Sequence, residues 1–162
     1  MSPEQQVPEA LSILVREHRE VEHHLDAARQ WIPVLQSEGA VAVDSLVSEL
    51  QSFGHAVRSD LGLHIAHEDR ALFIVMGRHI GQQTGPIAVM LMEHRHLERA
   101  VDAYERALMQ RDAEGLADAA ADIVQVLSAH MMKEERVLFP MASRVLSNEE
   151  WQEVLDLIQS QG

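Results

Sequence analysis

The chain has no cysteine among its 162 residues. That absence excludes a disulfide frame, a thiolate zinc site and a cysteine-held iron–sulfur cluster, so any metal must be bound by imidazole and carboxylate. Basic residues are scarce as well: 13 Lys and Arg stand against 26 Asp and Glu, a formal charge of −13. Such a charge repels phosphate backbones and anionic lipid surfaces, so no nucleic acid and no membrane is expected as a partner. No run of roughly 18 apolar residues occurs, and the opening "MSPEQQVPEA" lacks a basic region followed by an apolar one. The expected location is cytoplasmic. Strand-like alternation is missing too. A chain of this length, taken as one domain over residues 1–162, can bury a full core without disulfides or a structural metal, so a bound metal is expected to serve function.

What the sequence does contain is helical periodicity. A first helix starts near Pro8 and runs through "EALSILVREHREVEHHLDAARQW" to about Pro33, with "PVLQSEGA" read as a loop. A second, capped by Asp44 or a neighbour, extends to about Arg78, and Gly54 and Gly62 within it allow a kink or break near residue 54. Thr84-Gly85-Pro86 opens a third, which closes at "RDAEG", and a fourth spans about Leu116 to Arg144 with a bend at Pro140. Ser147 and Glu150 form a capping box for a last helix over about 148–160. Long helices joined by short loops describe an all-α, up-down-up-down four-helix bundle over about 8–145 with a short additional C-terminal helix. Trp151, Val154, Leu155 and Ile158 on that last helix would pack on the bundle or form a dimer surface, packing being the expectation; monomer and homodimer both stay open.

Two internal matches stand out. "HIAHEDRALFI" at 64–74 and "HMMKEERVLFP" at 130–140 both place a histidine four residues before a glutamate and then run into Leu-Phe, while "LVREHREVE" at 14–22 and "LMEHRHLE" at 91–98 match around Glu-His-Arg. The first two helices thus resemble the last two, and such halves facing each other across a pseudo-twofold axis would place two equivalent ligand sets around one cavity.

Helical phase decides which histidines face inward. His18 has Leu11, Leu14, Val15, Val21 and Leu25 on its face, His94 has Ile87, Met90, Leu91, Leu97 and Val101, His130 has Ile123, Leu127, Val137 and Leu138, and His64 has Val57, Leu61, Ala71 and Leu72. Each bundle helix therefore carries one histidine on its apolar stripe. Glu68 and Glu134 share the faces of His64 and His130. Burial of two unpaired carboxylates would cost several kcal/mol each, so they must be neutral, paired or bound to metal, and the stripes hold no Lys or Arg to pair them. One such histidine is ordinarily a hydrogen-bonded core residue; one per helix, with a carboxylate a turn beyond two of them, points to a metal site. His23, His24, His55, His79 and His96 fall off-phase or at helix ends and are read as surface or capping residues. His67 lies about 60° from His64 and would flank the site or shield it. The methionines, among them Met76, Met90, Met92, Met131 and Met132, are read as core filler rather than a soft-metal box, and "VLFPM" as packing.

Taken in order, Glu-His-Arg, His-x-x-x-Glu, Glu-His-Arg and "HMMKEERVLFP" resemble the hemerythrin-like (HHE cation-binding) domain over about residues 8–145. The resemblance implies a non-haem di-iron centre of Fe2+ or Fe3+, oxo- or hydroxo-bridged, with His18, His64, His94 and His130 as terminal ligands and Glu68 and Glu134 as bridges. Imidazole and carboxylate suit iron, and two ferrous ions more than balance two glutamates. The same donors accept manganese or zinc. The resemblance also has departures. Oxygen-carrying hemerythrins have a further histidine four residues after the one on the third helix; here that position is Glu98, and its pseudo-symmetric partner is Glu22. Both are open as extra ligands, outer partners of the ligands, or plain solvated residues. A carboxylate-richer site favours oxidised iron and weakens the case for reversible O₂ carriage. The loop histidine and the cysteine-bearing segment of the similar iron-centre repair proteins find no counterpart in this sequence, and Tyr104, the sole tyrosine, stands too far along its helix for an obvious ligand. The function implied is binding or sensing of O₂, peroxide or NO; alternatives are a peroxide- or NO-consuming defence enzyme, an iron-handling or iron-centre repair protein, and an interaction bundle with zinc or no metal.

Overall fold

A computed structural model describes residues 6–161; the first five residues of the N-terminal segment, and the last residue of the chain, lie outside the described residues. The chain folds as α1 (Glu9–Glu38), α2 (Ala40–Ser45), α3 (Val47–His67), a π-helical turn (Glu68–Leu72), α4 (Phe73–Ile80), α5 (Gly85–Gln110), α6 (Ala113–Lys133), a second π-helical turn (Glu134–Leu138), α7 (Phe139–Val145) and α8 (Asn148–Gln161). α3 with α4, and α6 with α7, are each one long arm widened in the middle. The arms pack as an up-down-up-down bundle in which α1 lies against α3 and α6, and α5 lies against the same two. Among the described residues no helix is long and apolar enough to cross a membrane.

α1 continues through the segment expected to be a loop, and Pro33 sits inside it. Pro33 is exposed, so the carbonyl its missing N–H leaves free can bond to water. Trp31, Ile32 and Leu35 are buried on the other side, and burial of three large side chains, about 1.5–3 kcal/mol each, outweighs the proline penalty of about 3 kcal/mol. The helix ends at Gly39, whose φ of 61° suits a residue without Cβ.

The second arm breaks at Leu46 rather than near residue 54. Gly54 lies within the helix because Tyr104 packs against it: a Cβ there would stand 3.2 Å from Tyr104 Cε1. Tyr104 is fully buried and donates its hydroxyl hydrogen to the Leu50 carbonyl at 2.7 Å. Asp112 caps α6 by accepting from the Gly115 N–H, and Ser147 and Glu150 form the reciprocal capping box at the start of α8. Trp151, Val154, Leu155 and Ile158 are buried, and α8 packs on α1, α3, α4 and the first π turn. Met76, Met90 and Met131 are core residues, as read from the sequence, but Met92 and Met132 are exposed.

The core is divided. One apolar cluster, built around Leu25, Trp31, Leu50, Phe53, Leu97, Tyr104, Leu116 and Leu127, fills the end of the bundle near the α1–α2 corner. The other, around Leu14, Leu72, Phe73, Met76, Ile87, Leu138, Phe139 and Trp151, fills the end covered by α8. Between them in each arm come the buried polar residues: His18, His64, His67, Glu68, His94, His130 and Glu134.

Candidate metal centre

Six side chains from four arms converge in that middle layer. The Nε2 atoms of His18 and His64 stand 3.1 Å apart, and those of His94 and His130 3.2 Å apart. Glu68 Oε1 lies 3.3 Å from His64 Nε2, 3.1 Å from His94 Nε2 and 3.6 Å from His130 Nε2. Glu134 Oε1 lies 3.3 Å from His18 Nε2, 2.8 Å from His130 Nε2 and 3.9 Å from His64 Nε2. Each carboxylate therefore reaches across both imidazole pairs. One ligand atom from each of His18, His64, Glu68 and Glu134 falls within 4.8 Å of the others, and the same is true of Glu68, His94 and His130. The two groups share Glu68.

The outer edges of the rings are held by carboxylates. His64 Nδ1 faces Glu17 Oε1 at 3.0 Å, His94 Nδ1 faces Asp69 Oδ1 at 2.7 Å, and His130 Nδ1 faces Glu93 Oε1 at 3.0 Å. Glu135 Oε2 stands 3.5 Å from His18 Nδ1, too far for a good hydrogen bond, and Glu135 is itself held by Arg19 at 2.6 Å. A carboxylate accepting from Nδ1–H fixes the tautomer that presents the Nε2 lone pair inward, and it raises the basicity of the ring. These four residues escaped the sequence reading. The available signal was adjacency: Glu17 precedes His18, Glu93 precedes His94, Asp69 follows Glu68 and Glu135 follows Glu134. In each case the neighbour of an inward residue serves a histidine on another arm.

The two π turns begin at Glu68 and Glu134, where the N–H groups of Phe73 and Phe139 bond to the carbonyls of those glutamates. One extra residue in a helical turn rotates the following side chains by about 100°. This phase change brings Phe73 into a stack on His94, centroids 5.6 Å apart, and Phe139 into a stack on His18 at 5.5 Å. The repeated Leu-Phe, read as packing, thus also orients two of the rings. Pro140 follows the second turn, but the first has Ile74 in the equivalent place, so proline is not what widens the helix.

Electrostatics describe a site in want of cations. Burial opposes protonation of His64, yet Glu68 and Glu17 outweigh it and hold its pKa up at about 9. His94 is likewise held up at about 9 against burial, by Asp69 and Glu68. His18 goes the other way, to about 4, through burial and the neighbouring His64. Burial resists ionisation of Glu68, but His64 first and then His130 and His94 keep its pKa well below the usual carboxylate range. Glu68 Oε2, Glu134 Oε2 and His18 Nδ1 are buried without a hydrogen-bond partner, and Glu134 Oε1, though close to His130 Nε2, is not aligned with it for a hydrogen bond. Native proteins rarely leave such atoms unsatisfied. Metal ions fit these residues. The donors are imidazole nitrogen and carboxylate oxygen, the unsatisfied oxygens belong to the layer where the rings converge, and two nitrogens held about 2.1 Å from one ion at right angles stand about 3.0 Å apart.

The remaining candidates fall outside the converging set. His67 is buried beside it but turns Nδ1 to Glu17 Oε2 at 2.8 Å, so it flanks the site. Glu22 accepts from Arg19 on the surface, and Glu98 is exposed; neither joins the six. His23, His55 and His79 lie toward the surface, as do His24 and His96, with His79 and His96 paired to Glu150 and Asp122.

The model of the Hemerythrin HHE cation binding domain matches residues 9–142. The iron-sulfur cluster repair protein DnrN of Neisseria gonorrhoeae is 29% identical over 79 residues, covering 48% of this chain and 50% of that protein. The chain therefore spans about half the length of the curated relative it matches. No solved structure matches it.

Proposed function

This chain belongs to the hemerythrin HHE cation-binding family, and from that premise we propose that it is a non-haem di-iron protein that binds or senses O₂, peroxide or NO. The observation that carries the proposal is the convergence of four imidazole Nε2 atoms on two buried carboxylates whose oxygens lack other partners. His18, His64, His94 and His130 would hold the irons, and Glu68 and Glu134 would span them. A bound di-iron pair supplies redox chemistry and a coordination position for a small oxidant. The protein's own part is to fix the tautomers through the outer carboxylates, to stack Phe73 and Phe139 on two rings, and to exclude water with the two apolar clusters. Glu22 and Glu98 act as solvated surface residues in this reading.

The similarity to DnrN favours a second reading, a role in iron-centre repair. It rests on half of each chain, and the absence of cysteine leaves this chain no thiol to exchange with a cluster. Metal analysis and the optical spectrum of protein from iron-replete cells test the proposal, beside a His64→Ala, Glu134→Ala double variant. About two irons per chain, with near-ultraviolet charge-transfer bands lost in the variant, support it, and spectral responses to O₂, peroxide and NO then separate the ligands. Zinc, or no metal, in both proteins would overturn it.

A further inference from the structure

The two halves of the site are equivalent in their inward residues and unequal in what stands behind them. Glu17 is a clamp between two imidazoles, Oε1 to His64 Nδ1 at 3.0 Å and Oε2 to His67 Nδ1 at 2.8 Å. Its counterpart Glu93 also uses both oxygens, one for His130 Nδ1 at 3.0 Å and the other for the Lys133 ammonium. His67 and Lys133 hold the same place, three residues after the inward histidine of their arm. They differ in setting. His67 is 5% exposed, and its other ring nitrogen, Nε2, is buried without a partner. The Lys133 side chain is 45% exposed.

This difference has a physical consequence. A buried, rigid ring with two side-chain torsions costs little entropy to hold in place, whereas a lysine on a flexible stem in water is strongly hydrated and its ion pairs contribute little. A hydrogen bond sheltered from water also orients its acceptor more firmly than one open to solvent. Glu17 is thereby fixed by buried rings on both sides, and it fixes the ring of His64; Glu93 is held by one buried ring and by a lysine open to water.

Resting on the di-iron reading above, we infer that Glu17 and His67 act as positioning residues for the metal position at His18 and His64: His67 holds Glu17 and Glu17 holds the His64 ring, on the side where Glu135 stands too far to brace His18. His67 is not a ligand in this arrangement: its Nδ1 is committed to Glu17, and its Nε2 is outside the converging set.

The test is an anaerobic titration of the metal-free protein with ferrous iron, with Co(II) in parallel as a spectroscopic probe. Wild type, Glu17→Gln, Glu93→Gln and His67→Gln are compared, and helicity and thermal unfolding check that each variant is folded. Wild type is expected to bind two ions. Glu17→Gln should weaken one of them by about 10–100-fold, the usual cost of losing the partner of a ligating histidine, and Glu93→Gln should weaken the other. His67→Gln should keep two ions and weaken the same one as Glu17→Gln. A Glu17→Gln or a His67→Gln titration like that of wild type would overturn the inference while leaving the di-iron reading intact. Loss of one ion in His67→Gln would overturn it by making His67 a ligand. Fewer than two ions in wild type would overturn both.

Discussion

Raising the pH of metal-free protein should destabilise it in a way that bound metal abolishes. In the folded chain the carboxylates of Glu68, Glu17 and Asp69 hold His64 and His94 near pKa 9, against 6.5 for an ordinary histidine. A group whose pKa rises on folding contributes stability that is complete below its unfolded value and is lost as pH climbs through its folded value. The window is therefore pH 6.5 to 9. A displacement of this size is worth about 3 kcal/mol for one histidine, and the pair contributes less than twice that because both lean on Glu68. For a chain of this size, about 3 kcal/mol corresponds to a fall in Tm of about 6–12 °C. His18 acts in the opposite sense: with a folded pKa of about 4 it contributes stability above 6.5 that is lost as pH falls toward 4. The depressed pKa of Glu68 adds to the acid limb, losing its contribution as pH falls below the carboxylate range. Metal-free protein should thus be most stable near pH 6.5, and with metal the alkaline limb should vanish, because ions replace the protons on His64 and His94. Differential scanning calorimetry from about pH 4 to about pH 9.5, with and without metal, reads both limbs. A metal-free Tm that is flat or rising between 6.5 and 9 would refute the charge balance described for the site.

Phe139→Ala should cost about 3–5 kcal/mol of stability, as for other buried aromatics, and should also weaken metal retention by freeing the His18 ring; denaturant unfolding and chelator extraction measure the two effects. Gly54→Ala should destabilise, because the Cβ meets a Tyr104 ring that is buried and tied to the Leu50 carbonyl. Gly62→Ala, on the exposed side of the same helix with open space around it, should stabilise by about 0.5–1 kcal/mol; matched thermal melts of the two alanine variants would show opposite signs. Tyr104→Phe should cost about 1 kcal/mol for its lost hydrogen bond and leave metal content unchanged, since the tyrosine belongs to the apolar cluster outside the site; unfolding curves and metal analysis check the pair of outcomes.

The inward residues were legible in the sequence because burial and helical phase leave a periodic trace: His18 at the centre of Leu11, Leu14, Val21 and Leu25 can face only one way. The bundle was legible for the same reason, from long apolar stripes and the Ser147–Glu150 capping box. Other features were not. Pro33 looks like a terminator to any local rule, and only the burial of Trp31, Ile32 and Leu35 against other arms keeps the helix going. The π turns leave no composition signal, since they arise where a ligand and the aromatic that backs another ligand must both face inward. Glu17, Asp69, Glu93 and Glu135 lie beside the apolar stripe at positions where charged residues are ordinary, and their partners are on other arms. Their role is a tertiary fact that a single helix cannot display.

That tertiary pattern explains why a site this polar can sit in the middle of a core. Each arm supplies an inward residue whose neighbour in sequence turns toward a histidine on another arm: α1 gives His18 and Glu17, α5 gives His94 and Glu93, and the widened arms give Glu68 with Asp69 and Glu134 with Glu135, the last at a looser 3.5 Å from its histidine. Neighbouring residues on a helix point about 100° apart, so one side chain reaches the layer while the other reaches the seam between arms. A slide of any arm by one residue would remove an inward ligand and its neighbour's contact together, separating buried charged groups that the correct register brings face to face. The cost of such a slip, several kcal/mol per unpaired charge, makes the polar layer a register lock for the bundle. The interactions that prepare the metal ligands are in this way the same ones that select the native packing of the arms.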